Sequence, residues 1–245
     1  MNELRKHEWR RIRGSVDRMI AAEPYARSTP GGARWSENRT FGELYVYGTD
    51  PGDLRDWLRN LNGSRNRSPG FPGVVMTDGG ADYAQDVIDH LPQTVRYRTV
   101  VGHSLGGDAA SRIRAALGIG RAITIGAPRN VAGCGGPSEA ARSIHGAPGG
   151  EMRTIDITHR CDPVCQLPPW NERLPWWVCR RVRIGPPWWQ HGWLPILATL
   201  VAMAAAKWPT ATMALGRWAW RLAIRPHGLA QYRNAIDRAI AKALH

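Results

Sequence analysis

Lysine is almost missing from this chain. Lys6, Lys207 and Lys242 are the only three, so arginine carries nearly all of the 33 basic charges that oppose 20 acidic ones and leave a formal +13. The arginines are scattered rather than gathered into one tract, and no nucleic-acid motif of recognisable spacing accompanies them, which argues against a specific nucleic-acid partner. Such a surface still attracts polyanions and anionic lipid. Cysteine is scarce too. Cys134, Cys161, Cys165 and Cys179 are too few and too widely spaced for a disulfide framework to define the fold. They lack the paired C-x-x-C knuckles of a zinc site, so a centre built from Cys161, Cys165, Cys179 and a histidine is weakly supported.

Other absences narrow the class further. The charged start "MNELRKHEWRRIRGSVDRMIAAEP" has no apolar segment of the kind a secretory signal needs, and reads as a basic amphipathic helix. The expected location is soluble or peripheral to a membrane, with the cell envelope as one place of action. The longest apolar run, Trp193 to Ala206, holds 14 residues including Pro195, short of the roughly 18 to 20 that span a bilayer. Carried past Lys207 to Leu215 it reaches spanning length, but a core helix or an interfacial cap is the favoured reading. There is no internal repeat, and Gly102, Gly106 and Gly107 are too closely spaced for a dinucleotide-binding loop.

What is present is an alternation of strands and helices. "ELYVYG" (43–48), "TVRYRTVV" (94–101), "RAITIGAP" (121–128) and "MRTIDIT" (152–158) read as strands, and "DLRDWLRNL", "ADYAQDVIDHL" and "DAASRIRAALG" as helices between them. Leu229, Tyr232, Ile236, Ile240 and Leu244 share one face of a last helix. This order predicts one α/β domain over residues 1–245, a mainly parallel sheet covered on both faces. Residues 166–220, rich in proline and holding nine of the twelve tryptophans, read as a cap or insert within it. Ligands of such sheets bind at the carboxyl ends of the strands.

One of those ends carries Gly102-His103-Ser104-Leu105-Gly106. A G-x-S-x-G between strand and helix forces the serine into a sharp turn with its hydroxyl exposed, a nucleophile's geometry, whereas a plain tight turn is the bland alternative. A serine hydroxyl needs a base, and the base an orienting carboxylate. Asp162, at the end of "MRTIDIT", is the candidate acid, although an aspartate before a proline is also an ordinary turn residue.

Taken in order, "VVGHSLGGDAA", "ITIGAPR" and "HRCDPVCQLPP" resemble the class 3 (fungal-type) lipases of the α/β-hydrolase superfamily. "ELYVYGTDPGDLRDWLRNL" resembles that family's F-R-G-T segment and the helix after it, and "PGF" at Pro69 to Phe71 its H-x-G-F, so the likeness covers about Glu43 to Pro169 and the C-terminal helix. It implies Ser104 as nucleophile, Asp162 as acid, and the backbone N–H groups of Thr49 and Leu105 as oxyanion hole. Tyr47 stands where the family carries arginine. For the base it implies His227, which opens "HGLAQYRNAI" like the family's H-x-x-x-x-Y segment, with His191 as the alternative. The activity it implies is cleavage of carboxylic esters of acyl lipids without metal or organic cofactor, under a mobile lid formed by "DPGDLRDWLRNL" or by the later insert. Cys161 and Cys165 flank the acid as in cutinases, so a cutinase-like or envelope-lipid esterase stays open. A lipid-binding protein that keeps the scaffold without the base is the reading of another class. Oligomeric state is not legible.

Overall fold

The computed structural model describes residues 4–48, 65–67, 75–128, 131–132, 154–160, 162, 164–166, 171–172, 179–185 and 227–242. In chain order they form α1 (Lys6–Ala22), β1 (Arg27–Ser28), β2 (Arg34–Asn38), β3 (Glu43–Tyr47), β4 (Arg65–Arg67) and β5 (Val75–Thr77). Then come α2 (Asp78–His90), β6 (Thr99–His103), α3 (Leu105–Leu117), β7 (Arg121–Ile125), β8 (Val131–Ala132) and β9 (Thr154–His159). β10 (Asn171–Glu172), β11 (Cys179–Ile184) and α4 (Leu229–Lys242) complete them.

The main sheet has seven strands in the order β1-β2-β3-β6-β7-β9-β11. β3, β6, β7, β9 and β11 run parallel, while β1 and β2 close one side antiparallel. A second, antiparallel sheet of short strands has the order β10-β8-β5-β4. With the strand-turn-helix at Ser104 described below, this is the α/β-hydrolase architecture expected from the sequence. β11 falls within residues 166–220, the stretch read as a cap or insert, and forms an edge strand of the main sheet. Residues 173–178 and 186–226, which hold the apolar run 193–215 and His191, lie outside the described residues. So do Thr49 and the helix read at "DLRDWLRNL".

Side chains alternate across the sheet as a two-residue period demands. Tyr45, Tyr47, Val101, Ile123, Ile125, Ile155 and Ile157 face α1 and α4, whereas Leu44, Val46, Val100 and Ala122 face α2 and α3. Burial on both faces is why these strands read as apolar runs. α1 buries Trp9, Ile12, Val16 and Met19, a three-four spacing that forms one stripe. It packs on the stripe Leu229, Tyr232, Ala235 and Ile236 of α4. Glu8 accepts from the Arg5 N–H at 2.8 Å and closes the exposed start of α1. Arg13 and Arg233 bridge to Asp237 and Asp17 at 2.6 and 2.9 Å across the two helices; exposed pairs of this kind add under about 1 kcal/mol each.

The strand expected at 94–101 begins only at Thr99. Its neighbour β3 starts at Glu43, after a turn through Gly42 (φ 63°). The Gly42 carbonyl accepts from both Arg98 N–H and Thr99 N–H at 2.8 and 3.2 Å. Residues 94–98 therefore have no strand edge to pair with, and alternation alone does not make a ladder. Among the described residues no helix is long and apolar enough to cross a membrane.

Candidate active site

β6 ends at His103 and α3 begins at Leu105, leaving Ser104 as the whole turn. Its φ of 59° and ψ of −131° make it the one non-glycine residue with positive φ among the described residues. That backbone is strained by about 1–3 kcal/mol. The surrounding chain holds it there. Ser104 N–H donates to the Ile125 carbonyl of β7 at 2.9 Å, and Gly102 and Gly106 let α3 approach the sheet where any Cβ would collide with the Gly106 carbonyl or the backbone of Val46.

Ser104 is only 2% exposed. A Cβ on Gly48 would come within 2.9 Å of its Oγ, so the end of β3 lies against the hydroxyl. Leu105, the first residue of α3, has an N–H with no acceptor inside the helix, at the positive end of the helix dipole. That is the property an oxyanion donor needs. Thr49, the other expected donor, lies just beyond the last described residue of this segment.

Asp162 sits past the end of β9 in a turn closed by its own N–H to the His159 carbonyl at 3.1 Å. Its Oδ1 accepts from Val164 N–H at 2.9 Å. Its Oδ2 lies 2.6 Å from His227 Nδ1 and accepts from the Tyr232 hydroxyl at 2.6 Å and the Cys165 thiol at 3.3 Å. Carboxylate and imidazole are both buried, at 0% and 2% exposure. Burial alone would raise the Asp162 pKa; the His227 charge and the bonds from His227, Tyr232 and Cys165 overcome it and hold the carboxyl below its ordinary range. Beside Asp162, burial pushes the Tyr232 phenol well above its usual value, so it stays a donor. His227 precedes α4, whose first turn is tied down by Gln231 and Tyr232 N–H groups on the Gly228 carbonyl. A Cβ on Gly126, the residue after β7, would sit 3.0 Å from His227 Cε1 and 3.1 Å from Asp162 Oδ2. Only glycine at φ 63° leaves the pair that space.

His103, inside the elbow, reaches the same imidazole. Its Nε2–H donates to the His227 carbonyl at 2.7 Å, and the two rings stack with centroids 4.7 Å apart. Ser104, Asp162 and His227 thus gather at the carboxyl ends of β6, β7 and β9. Ser104 Oγ makes no hydrogen bond among the described residues, so the serine–imidazole link of a closed triad is not formed in this structure.

No protein-family model matches the sequence, and no curated protein matches it. In the solved structures the likeness is to fungal lipases. Lip2 lipase from Yarrowia lipolytica shares 20% identity over 63% of this chain and 62% of that one, with a TM-score of 0.48. Rhizomucor miehei lipase in its propeptide complex shares 22% over 59% and 50%, at 0.41. Lipase II from Rhizopus niveus shares 16% over 59% of each chain, at 0.43. The chain therefore spans between half and about three fifths of these lipases' length.

Among the residues expected from the sequence, the structure brings Asp162 to His227 and puts Ser104 and Leu105 on the elbow. Thr49 and the alternative base His191 lie outside the described residues, as do Pro69 to Phe71. Three residues in this network had no role assigned from the sequence: His103, Cys165 and Tyr232. Tyr232 had a signal, because a tyrosine on a buried helix face must find a partner for its hydroxyl. Cys161 lies outside the described residues, and Cys165 spends its thiol proton on the acid. No group of three metal-ligating side chains occurs among the described residues.

Proposed function

We propose that this protein is a serine ester hydrolase that cleaves carboxylic esters of acyl lipids through an acyl-enzyme on Ser104. The observation that carries this reading is the 2.6 Å bond between His227 Nδ1 and Asp162 Oδ2, set beside a strained and otherwise unbonded serine hydroxyl. In the proposed reaction, Ser104 Oγ attacks the ester carbonyl carbon while His227 Nε2 takes its proton. Asp162 stabilises the imidazolium, and the N–H groups of Leu105 and Thr49 receive the oxyanion. Collapse breaks the acyl C–O bond, and the same Nε2 proton goes to the departing alcohol. Water, deprotonated by His227, then releases the acid and restores Ser104.

An acyl lipid as substrate is supported by the tryptophan-rich stretch between Trp170 and Trp220, since indole rings favour the lipid–water boundary. The +13 formal charge supports peripheral contact with anionic lipid. Purified protein incubated with a fluorophosphonate probe should be labelled at one site, and Ser104→Ala should abolish both labelling and p-nitrophenyl ester turnover. Labelling that persists in Ser104→Ala would place the nucleophile elsewhere. A wild type inert towards esters from short to long chain, dissolved and emulsified, would favour the lipid-binding reading.

A further inference from the structure

At the end of the sheet opposite Ser104, a cavity of about 550 Å³ opens between α1 and the first residues of β3, β6 and β7. Among the described residues, five arginines, Arg10, Arg11, Arg18, Arg98 and Arg121, line it together with one carboxylate, Glu43. That carboxylate is already saturated. It accepts from Arg18 Nε and Nη2 at 2.8 and 2.7 Å, from Ser15 Oγ at 2.7 Å and from the Tyr45 hydroxyl at 2.6 Å. Arg18 and Glu43 thus cancel each other, and Arg18 is further fixed over the Phe41 ring at 4.1 Å. Three further guanidinium groups keep the wall positive. Arg10, Arg11 and Arg98 are exposed and make no ion pair among the described residues.

Like charges converging on one concavity repel each other at a cost that a bound anion would relieve, and a cleft with low-dielectric walls focuses their field. Guanidinium groups present paired N–H donors that match phosphate oxygens two at a time. The volume is in the range of small-molecule sites and exceeds that of a lone phosphate ion. Gly14 and Gly120 also line it and add no side chain to the space. Among the described residues no acidic side chain apart from the neutralised Glu43 lines the site, which disfavours cations. Charge sign, donor geometry and size agree.

We propose that this arginine-lined cavity binds a multiply charged phosphate ligand, a pyrophosphate or organic phosphate group, at a site separate from the Ser104 elbow. Because arginine stays charged at any physiological pH, affinity follows the ligand's ionisation and strengthens as its last phosphate proton leaves. The site stands whether or not Ser104 is a nucleophile.

Isothermal titration of the full chain with inorganic pyrophosphate at low ionic strength tests it. Wild type should bind at one site per chain and gain Tm on binding. Arg11→Gln and Arg98→Gln, both on exposed side chains, should each weaken binding about tenfold, the loss expected for one charge-assisted contact. Gly14→Leu should weaken it comparably by filling the cavity without changing net charge. The pair Arg238→Gln and Lys242→Gln, which removes two charges from α4, should leave affinity within about twofold. Absence of one-site binding, or equal loss in the α4 variant, would overturn the proposal, because diffuse charge would then suffice. Vesicles of phosphatidylcholine with phosphatidic acid tell the two sources apart. Vesicle binding that pyrophosphate competes away and Gly14→Leu weakens to the same degree assigns the site to a lipid headgroup. One-site pyrophosphate binding untouched by vesicles assigns it to a soluble phosphate.

Discussion

His227 Nδ1 and Asp162 Oδ2 lie 2.6 Å apart although 65 residues separate them in sequence. The bond fixes the imidazole tautomer that leaves Nε2 able to take a proton. Asp162→Asn keeps the side chain's shape but offers an amide that can hold the ring in the wrong tautomer, so kcat should fall by roughly 10³- to 10⁴-fold. KM should change little, because neither residue is assigned to ground-state binding. His227→Ala should lose about as much. Steady-state turnover of p-nitrophenyl butyrate measures both, and a variant retaining more than a tenth of the wild-type kcat would remove that residue from the proposed chemistry.

His103 makes stability depend on pH. Burial, then the neighbouring His227 charge, pushes its pKa from 6.5 down to about 3. Between those values the unfolded chain holds a proton on His103 that the folded chain does not, so unfolding free energy rises with pH across this window. The contribution is fully present above about pH 6.5 and is lost progressively as pH falls towards 3. Its slope is up to about 1.4 kcal/mol per pH unit. Urea unfolding from pH 4 to 7 should show this slope in wild type and a flatter one in His103→Gln, relative to each protein's stability at pH 7. Parallel profiles would mean that the ring is protonated in the fold.

The elbow could be read from sequence because its geometry is local. Gly102, Ser104 and Gly106 are dictated by a strand meeting a helix within one turn. The stripe Leu229, Tyr232 and Ile236 could be read for a similar reason, since helix periodicity is written in consecutive residues. Pairing across the fold is different. That α1 packs on α4, and that His103 and Tyr232 touch the imidazole and the acid, depends on which elements the topology makes neighbours, and no short window of sequence carries that; Cys165, three residues from Asp162, is the local exception. β11 was hidden by composition. "CRRVRI" carries three arginines that an edge strand tolerates but that do not look like sheet interior.

Tyr232 ties α4 to the acid loop. Its hydroxyl donates to Asp162 Oδ2 at 2.6 Å and accepts from His159 N–H at 3.0 Å. Tyr232→Phe removes one oxygen and leaves a buried carboxylate short of a donor and a buried N–H short of an acceptor. Stability should fall by about 2–3 kcal/mol. Activity should fall only severalfold, because the His227 bond remains. Denaturant midpoints and kcat on the same preparation check the split; a stability change under about 0.5 kcal/mol would show that water replaces the hydroxyl.

Beneath the elbow, Asp108 and Arg112 of α3 form a buried pair at 3.1 Å, with side chains 0% and 3% exposed. Gly80 of α2 lies so close that a Cβ there would collide with the Asp108 carboxylate. Attraction between two such charges does little more than offset the cost of taking them out of water, so the pair's net worth is small while the cost of breaking it is large. Asp108→Ala takes the buried carboxylate away from the Arg112 guanidinium and should destabilise by about 3–5 kcal/mol. Asp108→Leu combined with Arg112→Met removes both charges at similar volume and should recover most of that loss. Urea unfolding of the single and double variants distinguishes the two cases. If the double variant is as unstable as the single one, the pair's other contacts rather than its mutual charge hold α3 under the serine. The activity of the double variant, compared at equal folded fraction, then reports whether the Ser104 turn needs the ion pair or only the packing around it.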